Sequence, residues 1–467
     1  MLFTSKEFII LFFLTFAIYY IPLFKQFQIW VLILSSLIFY AYNYPVLLIL
    51  LVSSIAINTF ISYVLVHRDN VHKKTIATLG VVINLATIIF FKYSGLFAKS
   101  LELEGTSLGE FLIALPLPLG ISFFTFEGIS LLIDTYKEEK TENYRSIIAK
   151  SFISHTSNTL LFVSFFPHLI AGPILKAHEF YPQIGNKSYQ AINWDKAFRQ
   201  LLIGYFLKVV VADNLKDQTS TMGLPYLLYT SNEMLLWMLY GYSIQIFADF
   251  AGYSLIALGL ATLLGYELKG NFDFPYISTS FSEFWRRWHI SLSSFLREYL
   301  YIPLGGNKKG KVRTYINLLL TMFLGGLWHG AAWSYAVWGL AHGLLLALER
   351  LFNDFFSVKT VGLFAKILKG FFVFTSVTFA WLLFKLPEFS QVLQYLRAIF
   401  ENTDFPRNTT QIYLIIIYSL PVVLYHLIHL SRTWPVWNKL EWVAYAIMIF
   451  LLVTNSGQSA EFIYFQF

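Results

Sequence analysis

The chain has 467 residues, of which 57% are hydrophobic, 19% aromatic and only 13% charged, and it contains no cysteine. A soluble domain carries about 25% charged residues, so the composition excludes a soluble globular fold, and the missing thiols exclude disulfides, a Cys nucleophile and Cys-based metal sites. The formal net charge is +7, but the Lys and Arg residues fall in short loops between apolar runs. That pattern reads as cytoplasmic retention of those loops, with membrane lipids as surroundings and no nucleic acid as partner.

Apolar runs occur near residues 8–24, 28–42, 45–66, 76–93, 111–134, 153–175, 198–212, 234–264, 314–327, 331–349, 366–386, 411–430 and 440–454. A span needs roughly 20 apolar residues, fewer where it re-enters or lies in the plane. The expected fold is therefore an all-α integral membrane protein with about eleven transmembrane helices plus re-entrant or interfacial ones. The run 8–24 has no small-residue cleavage pattern after it and reads as the first span, not a signal peptide. No internal repeat, low-complexity tract or soluble domain interrupts the runs, so residues 1–467 are expected to form a single membrane domain. Arg68, Lys73 and Lys74 mark one cytoplasmic loop, and the basic stretch 286–313 marks another.

The stretch 271–313 differs in kind. Ser280 followed by Glu283 is a capping box and predicts a helix start. Phe281, Phe284, Trp285, Trp288, Leu292, Phe295, Leu296 and Tyr299 then recur at three- and four-residue spacing, which predicts an amphipathic helix at the cytoplasmic interface. Ile302-Pro303-Leu304-Gly305-Gly306 should end it. The basic loop Asn307 to Arg313 follows.

Three histidines, His289, His329 and His342, fall within 54 residues. His289 falls on the apolar side of that helix. His329 lies in Gly325-Gly326-Leu327-Trp328-His329-Gly330, within a long apolar stretch, and His342 follows. Ionisable groups inside a membrane are costly and point to function, and imidazole suits proton transfer near neutral pH. A single intramembrane histidine also serves as a hydrogen-bonded packing residue. Asp249 is a second intramembrane group: it can orient a histidine, relay a proton or bond one helix to another. No HExxH motif, nucleophile elbow, P-loop or dinucleotide fingerprint is present, so no metal and no tightly bound cofactor are expected. His168, His426 and His429 read as packing or interfacial residues.

Together these residues resemble a family. Phe274-Pro275-Tyr276, the run Ser282-Glu283-Phe284-Trp285-Arg286-Arg287-Trp288-His289-Ile290-Ser291-Leu292-Ser293 and Tyr301-Ile302-Pro303-Leu304-Gly305-Gly306-Asn307 are similar to the membrane-bound O-acyltransferase (MBOAT) family. So are Gly326-Leu327-Trp328-His329-Gly330, Trp338-Gly339, His342-Gly343, Lys208 through Asn214 and the carboxy-terminal Glu461 through Phe467. The resemblance is strongest to the bacterial branch that O-acetylates exported polysaccharides such as alginate and peptidoglycan. His168 departs from the branch where Gln is expected, and Leu255 departs where a polar residue is usual.

The resemblance implies a bundle with a central funnel or tunnel in the bacterial inner membrane. It implies that His329 is catalytic, with His289 as second signature position. The donor would be acetyl-CoA on the cytoplasmic side, and the partner an extracytoplasmic acetyltransferase of the SGNH-hydrolase type. On this reading His329 is the general base. His289, or a nearby donor such as Asn271 or Trp288, would position substrate or stabilise an oxyanion, with Trp285, Trp328, Asp249 and His342 around the site. Arg286 and Arg287 would attract the donor's phosphates, and Tyr464 would be an acyl relay or an interface anchor. Two other readings stand beside it: a D-alanyl or longer-acyl transferase of the same fold, and a polysaccharide or lipid-carrier transporter without chemistry of its own.

Overall fold

The structure is a computed structural model and describes the chain apart from residues 69–71, 139–148, 150, 170–171, 356–361, 432–435, 459–461 and 464–467. The described residues form helices joined by turns and loops, with no strand. With no water in the bilayer core, backbone groups must be satisfied within the segment, and a helix does this. Six helices among the described residues are long and apolar enough to cross a membrane: Pro22–Ala41, Leu47–His67, Lys73–Ser100, Asn232–Leu263, Leu363–Lys385 and Thr409–Leu430.

Several apolar runs do not become single long helices. The run 8–24 gives Lys6–Tyr20, because Pro22 opens a tighter 3₁₀ segment. The run 153–175 breaks after Ser164, where Phe165 leaves the helical conformation and Pro167 enters a short second helix. Proline has no N–H to continue the ladder. The run 198–212 is a helix only to Tyr205 and continues as a π-helical segment, Phe206–Ala212.

Backbone proximity groups the chain into two compact units: residues 1–199 with 256–269, and residues 200–255 with 270–467. In the first unit, polar side chains join apolar helices. Asn58 and Asn84 exchange hydrogen bonds of 3.1 and 2.8 Å between helices Leu47–His67 and Lys73–Ser100. Gly128 leaves room for that pair, since a Cβ there would lie 2.5 Å from the Asn58 amide nitrogen. His168, expected as a packing residue, is fully buried with its Nδ1 3.0 Å from Glu127 Oε1. Interhelical bonds of this kind replace the hydrophobic drive that lipid does not supply.

In the second unit, helices Lys311–His329 and Trp333–Phe355 form a close hairpin. A Cβ on Gly326 would collide with the Tyr335 carbonyl oxygen, and one on Gly339 with the Met322 carbonyl oxygen. Two glycines at the crossing therefore let backbone meet backbone.

The interfacial helix is not continuous. Phe281–Arg287 and Ile290–Leu296 are separate helices, and the break falls at Trp288 and His289. His289 has φ +43°, in the left-handed region. One half of the capping box forms as expected: Ser280 Oγ accepts from the Glu283 amide at 3.0 Å. The Glu283 carboxylate in turn accepts from the Thr279 amide, one residue earlier than a reciprocal box would have it.

Candidate active site

The corner that carries His289 is built by Asn271. The Asn271 carbonyl accepts from the Ile290 amide at 2.9 Å, which supplies a partner at the start of the second helix. Its side-chain amide donates to Ser254 Oγ at 3.0 Å, and its Oδ1 accepts from Ser291 Oγ at 2.6 Å. Both ends of the Asn271 amide are thus committed to shaping the corner. A left-handed non-glycine residue costs on the order of 1–3 kcal/mol and persists only where surroundings enforce it. Asn271 is that enforcement.

His329 arrives from another direction, as the last residue of helix Lys311–His329. The extended backbone of Gly330 stops the helix there, and a Cβ on Gly330 would collide with the Tyr335 ring. The rings of His289 and His329 lie 6.0 Å apart between centroids. Trp328 is edge-on to both, at 5.8 and 5.1 Å. Phe250 meets His289 edge-on at 4.6 Å. Trp338 and Phe384 stand at 5.2 and 5.3 Å from His329.

A cavity of about 190 Å³ opens onto His329. Trp285, Leu292, Leu296, Met322 and Trp338 form apolar wall, and Ser293, Thr321, Arg297 and Tyr301 add polar atoms. Among the described residues, no carboxylate lines it. Trp285, expected at the site, does line this space, whereas Trp288 sits away from it. Trp288 is packed among Phe284, Phe272 and Trp381 at 5.0–5.5 Å.

The other expected residues divide. His342 is fully buried behind Trp338, 4.8 Å away, and beside Trp285 at 5.1 Å. Both its ring nitrogens lack a hydrogen-bond partner among the described residues. Arg287 is bound by Glu283 at 3.0 Å and Asp273 at 3.2 Å, so its charge staples the helix to the preceding loop. Arg286 is exposed. Asp249 does not turn to a histidine: its Oδ1 is 2.8 Å from Lys208 Nζ, and its Oδ2 accepts from the Ile463 amide at 2.7 Å. Tyr464 lies outside the described residues. No group of three or more His, Asp or Glu residues suited to a metal occurs among the described residues.

Sequence reasoning missed Phe384 and Trp381, which stand around His329 and Trp338, because both lie in an apolar run with no charged marker. It missed Lys208 as the partner of Asp249. There the signal existed: a lysine inside an apolar run requires a counter-charge.

Six helices able to span a bilayer, and in the second unit a buried histidine pair with a cavity against one member, describe an integral membrane protein. Residues 36–386 match the MBOAT, membrane-bound O-acyltransferase family, and the chain belongs to that family. It is an acyltransferase, which removes the transporter reading. It is similar to the peptidoglycan O-acetyltransferase of Helicobacter pylori, with 37% identity over 404 residues that cover 81% of this chain and 74% of that protein. It is 36% identical to the probable alginate O-acetylase AlgI of Pseudomonas putida over 414 residues, 87% of this chain and 81% of that protein. The teichoic acid D-alanyltransferase of Bacillus subtilis matches at 30% over 247 residues, 50% of this chain and 59% of that protein.

Proposed function

We propose that the protein O-acetylates an extracytoplasmic polysaccharide such as peptidoglycan or alginate, taking the acetyl group from acetyl-CoA at the cytoplasmic face of the inner membrane. The observation that carries this reading is the cavity against His329. At about 190 Å³ it has room for a two-carbon acyl group. Among the described residues, its only permanently charged lining residue is Arg297. A D-alanyl group would bring an ammonium into a space with a cation and no carboxylate, so acetyl is the better fit.

His329 acts as general base on the attacking hydroxyl, a role worth roughly 10²–10⁴-fold. It stands at the C-terminal end of its helix, where the dipole favours the positive charge that develops on the ring. His289 and Trp328 orient it. As the hydroxyl oxygen bonds to the acyl carbon, its proton passes to His329; the carbon–sulfur bond then breaks, and the departing thiolate takes that proton. The exposed Arg286, Lys308 and Lys309 draw the donor's phosphates.

The same reading keeps about eleven spans around a central funnel and residues 1–467 as one membrane domain. It also includes an SGNH-hydrolase-type partner outside the membrane, which passes the acetyl group to the polymer. Labelled acetyl-CoA supplied to membranes, with and without that partner, tests the route: label on the polymer only when both are present is the expected result, and label retained on CoA throughout would overturn it.

A further inference from the structure

The carboxylate of Asp249 belongs to a buried ionic cluster that the transfer chemistry above does not use. Lys208 Nζ lies 2.6 Å from Asp213 Oδ1 and 2.8 Å from Asp249 Oδ1. The three side chains are between 1% and 5% exposed. Burying charges costs several kcal/mol each unless geometry and further hydrogen bonds compensate. One lysine against two aspartates leaves a formal charge of −1, and the remaining oxygen of Asp249 meets a backbone donor, the Ile463 amide, at 2.7 Å. That donor comes from the carboxy-terminal segment, more than 200 positions along the chain.

Beside the bonds that Asn455 accepts from Asn214 and Tyr418, two backbone amides fasten the segment. Lys208 sits in the π-helical stretch Phe206–Ala212, where the altered ladder leaves the Val209 carbonyl for the Gly457 amide, at 3.0 Å. Gly457 packs so closely there that a Cβ would lie 2.8 Å from the Asn214 amide nitrogen. The second fastening, at Ile463, sets Phe462 in place. Phe462 is fully buried, 4.4 Å from the Tyr253 ring and 5.8 Å from Phe250. Phe250 is the ring that meets His289 edge-on at 4.6 Å. A continuous line of contact thus runs from the ion cluster through the tail to the histidine pair. π-Segments recur at functional sites because they re-aim backbone groups.

We propose that Lys208, Asp213 and Asp249 form a clamp for the carboxy-terminal segment, and that Asp249 is a positioning residue that holds His289 in place through Phe462 and Phe250. The proposal rests on the reading of His289 and His329 as the acyl-transfer site.

The absence of cysteine allows a clean test. A spin label on Gln466→Cys, three positions beyond Ile463, reports tail mobility in the full-length protein. Asp249→Ala should mobilise the label and lower kcat about 10–100-fold, the range expected when a catalytic group shifts by about 1 Å, with donor KM unchanged. Asp249→Asn keeps an acceptor oxygen for Ile463 and should stay within a few-fold of the parent with the label immobile. Phe462→Ala leaves the ion cluster intact and should lower kcat with the label still immobile, which keeps the test open if Asp249→Ala does not fold. An immobile label in Asp249→Ala, or an unchanged kcat in Phe462→Ala, overturns the proposal. His329→Ala separates the two readings: if transfer survives it, the acyl-transfer assignment fails, whereas the label result stands independently.

Discussion

Buried histidines occupy both units, and they are used differently. In the amino-terminal unit His168 has its Nδ1 on Glu127 and its Nε2 3.0 Å from the Phe162 carbonyl oxygen. His155 in the same unit has Nε2 2.8 Å from Ser62 Oγ. These bonds tie one helix to another. In the carboxy-terminal unit His289, His329 and His342 are set among rings, which fix orientation by shape, and a cavity opens onto one of them. Burial alone therefore does not mark a catalytic histidine. The proposed catalytic histidine, His329, is set by ring contacts beside a cavity.

The sharpest way to break that contrast is His329→Ala. Acetyl transfer from labelled acetyl-CoA should fall roughly 10²–10⁴-fold while detergent-solubilised protein unfolds at an unchanged temperature. Next is Gly326→Ala, which forces the hairpin backbone apart. A displacement near 1 Å should cost on the order of 10²-fold in kcat and lower the unfolding temperature as well; parental values for both would show that the crossing does not place His329. His168→Ala should do the reverse of His329→Ala. It strands Glu127 as an unpaired buried carboxylate and should lower stability by about 3–5 kcal/mol, with transfer by the folded fraction preserved. A selective loss of transfer would erase the distinction between the two units.

Smaller effects sharpen the picture. Replacing Arg286, Lys308 and Lys309 with Gln should raise donor KM several-fold at low salt and leave kcat alone, and added salt should shrink the difference. His178, in the short helix Ala177–Phe180 of the amino-terminal unit, bonds Asp134 through Nδ1 at 2.8 Å, and that bond raises its pKa above the ordinary value. Because the folded-state value is the higher one, the contribution to stability is complete below about pH 6.5 and disappears as pH rises through the raised value. His178→Gln should flatten that part of the stability curve and leave transfer untouched; a slope identical to the parent's would remove His178 from the account.

Much of this was legible in the residues. The long apolar runs gave the helices, Ser280 and Glu283 gave a helix start, and Trp328-His329-Gly330 pointed to the site. The break at His289 was hidden, because the apolar spacing of Phe284, Trp288, Leu292 and Phe295 continues across it. No glycine announces the left-handed residue, and its support comes from Asn271, in a loop that periodicity does not describe. The fate of Asp249 was half legible: Lys208, inside an apolar run, required a counter-charge, whereas the Ile463 amide is a backbone donor and leaves no trace in side-chain chemistry.

The left-handed backbone at His289 also bears on how this sequence can change. Asparagine, with its short polar side chain, is among the few non-glycine residues that visit that conformation, so a library selected for heat resistance alone should drift from His to Asn at position 289. A library selected for acetyl transfer should keep histidine and accept the weaker fold. The position is one where endurance and turnover pull the sequence in opposite directions, and its occupant records which of the two has been rewarded.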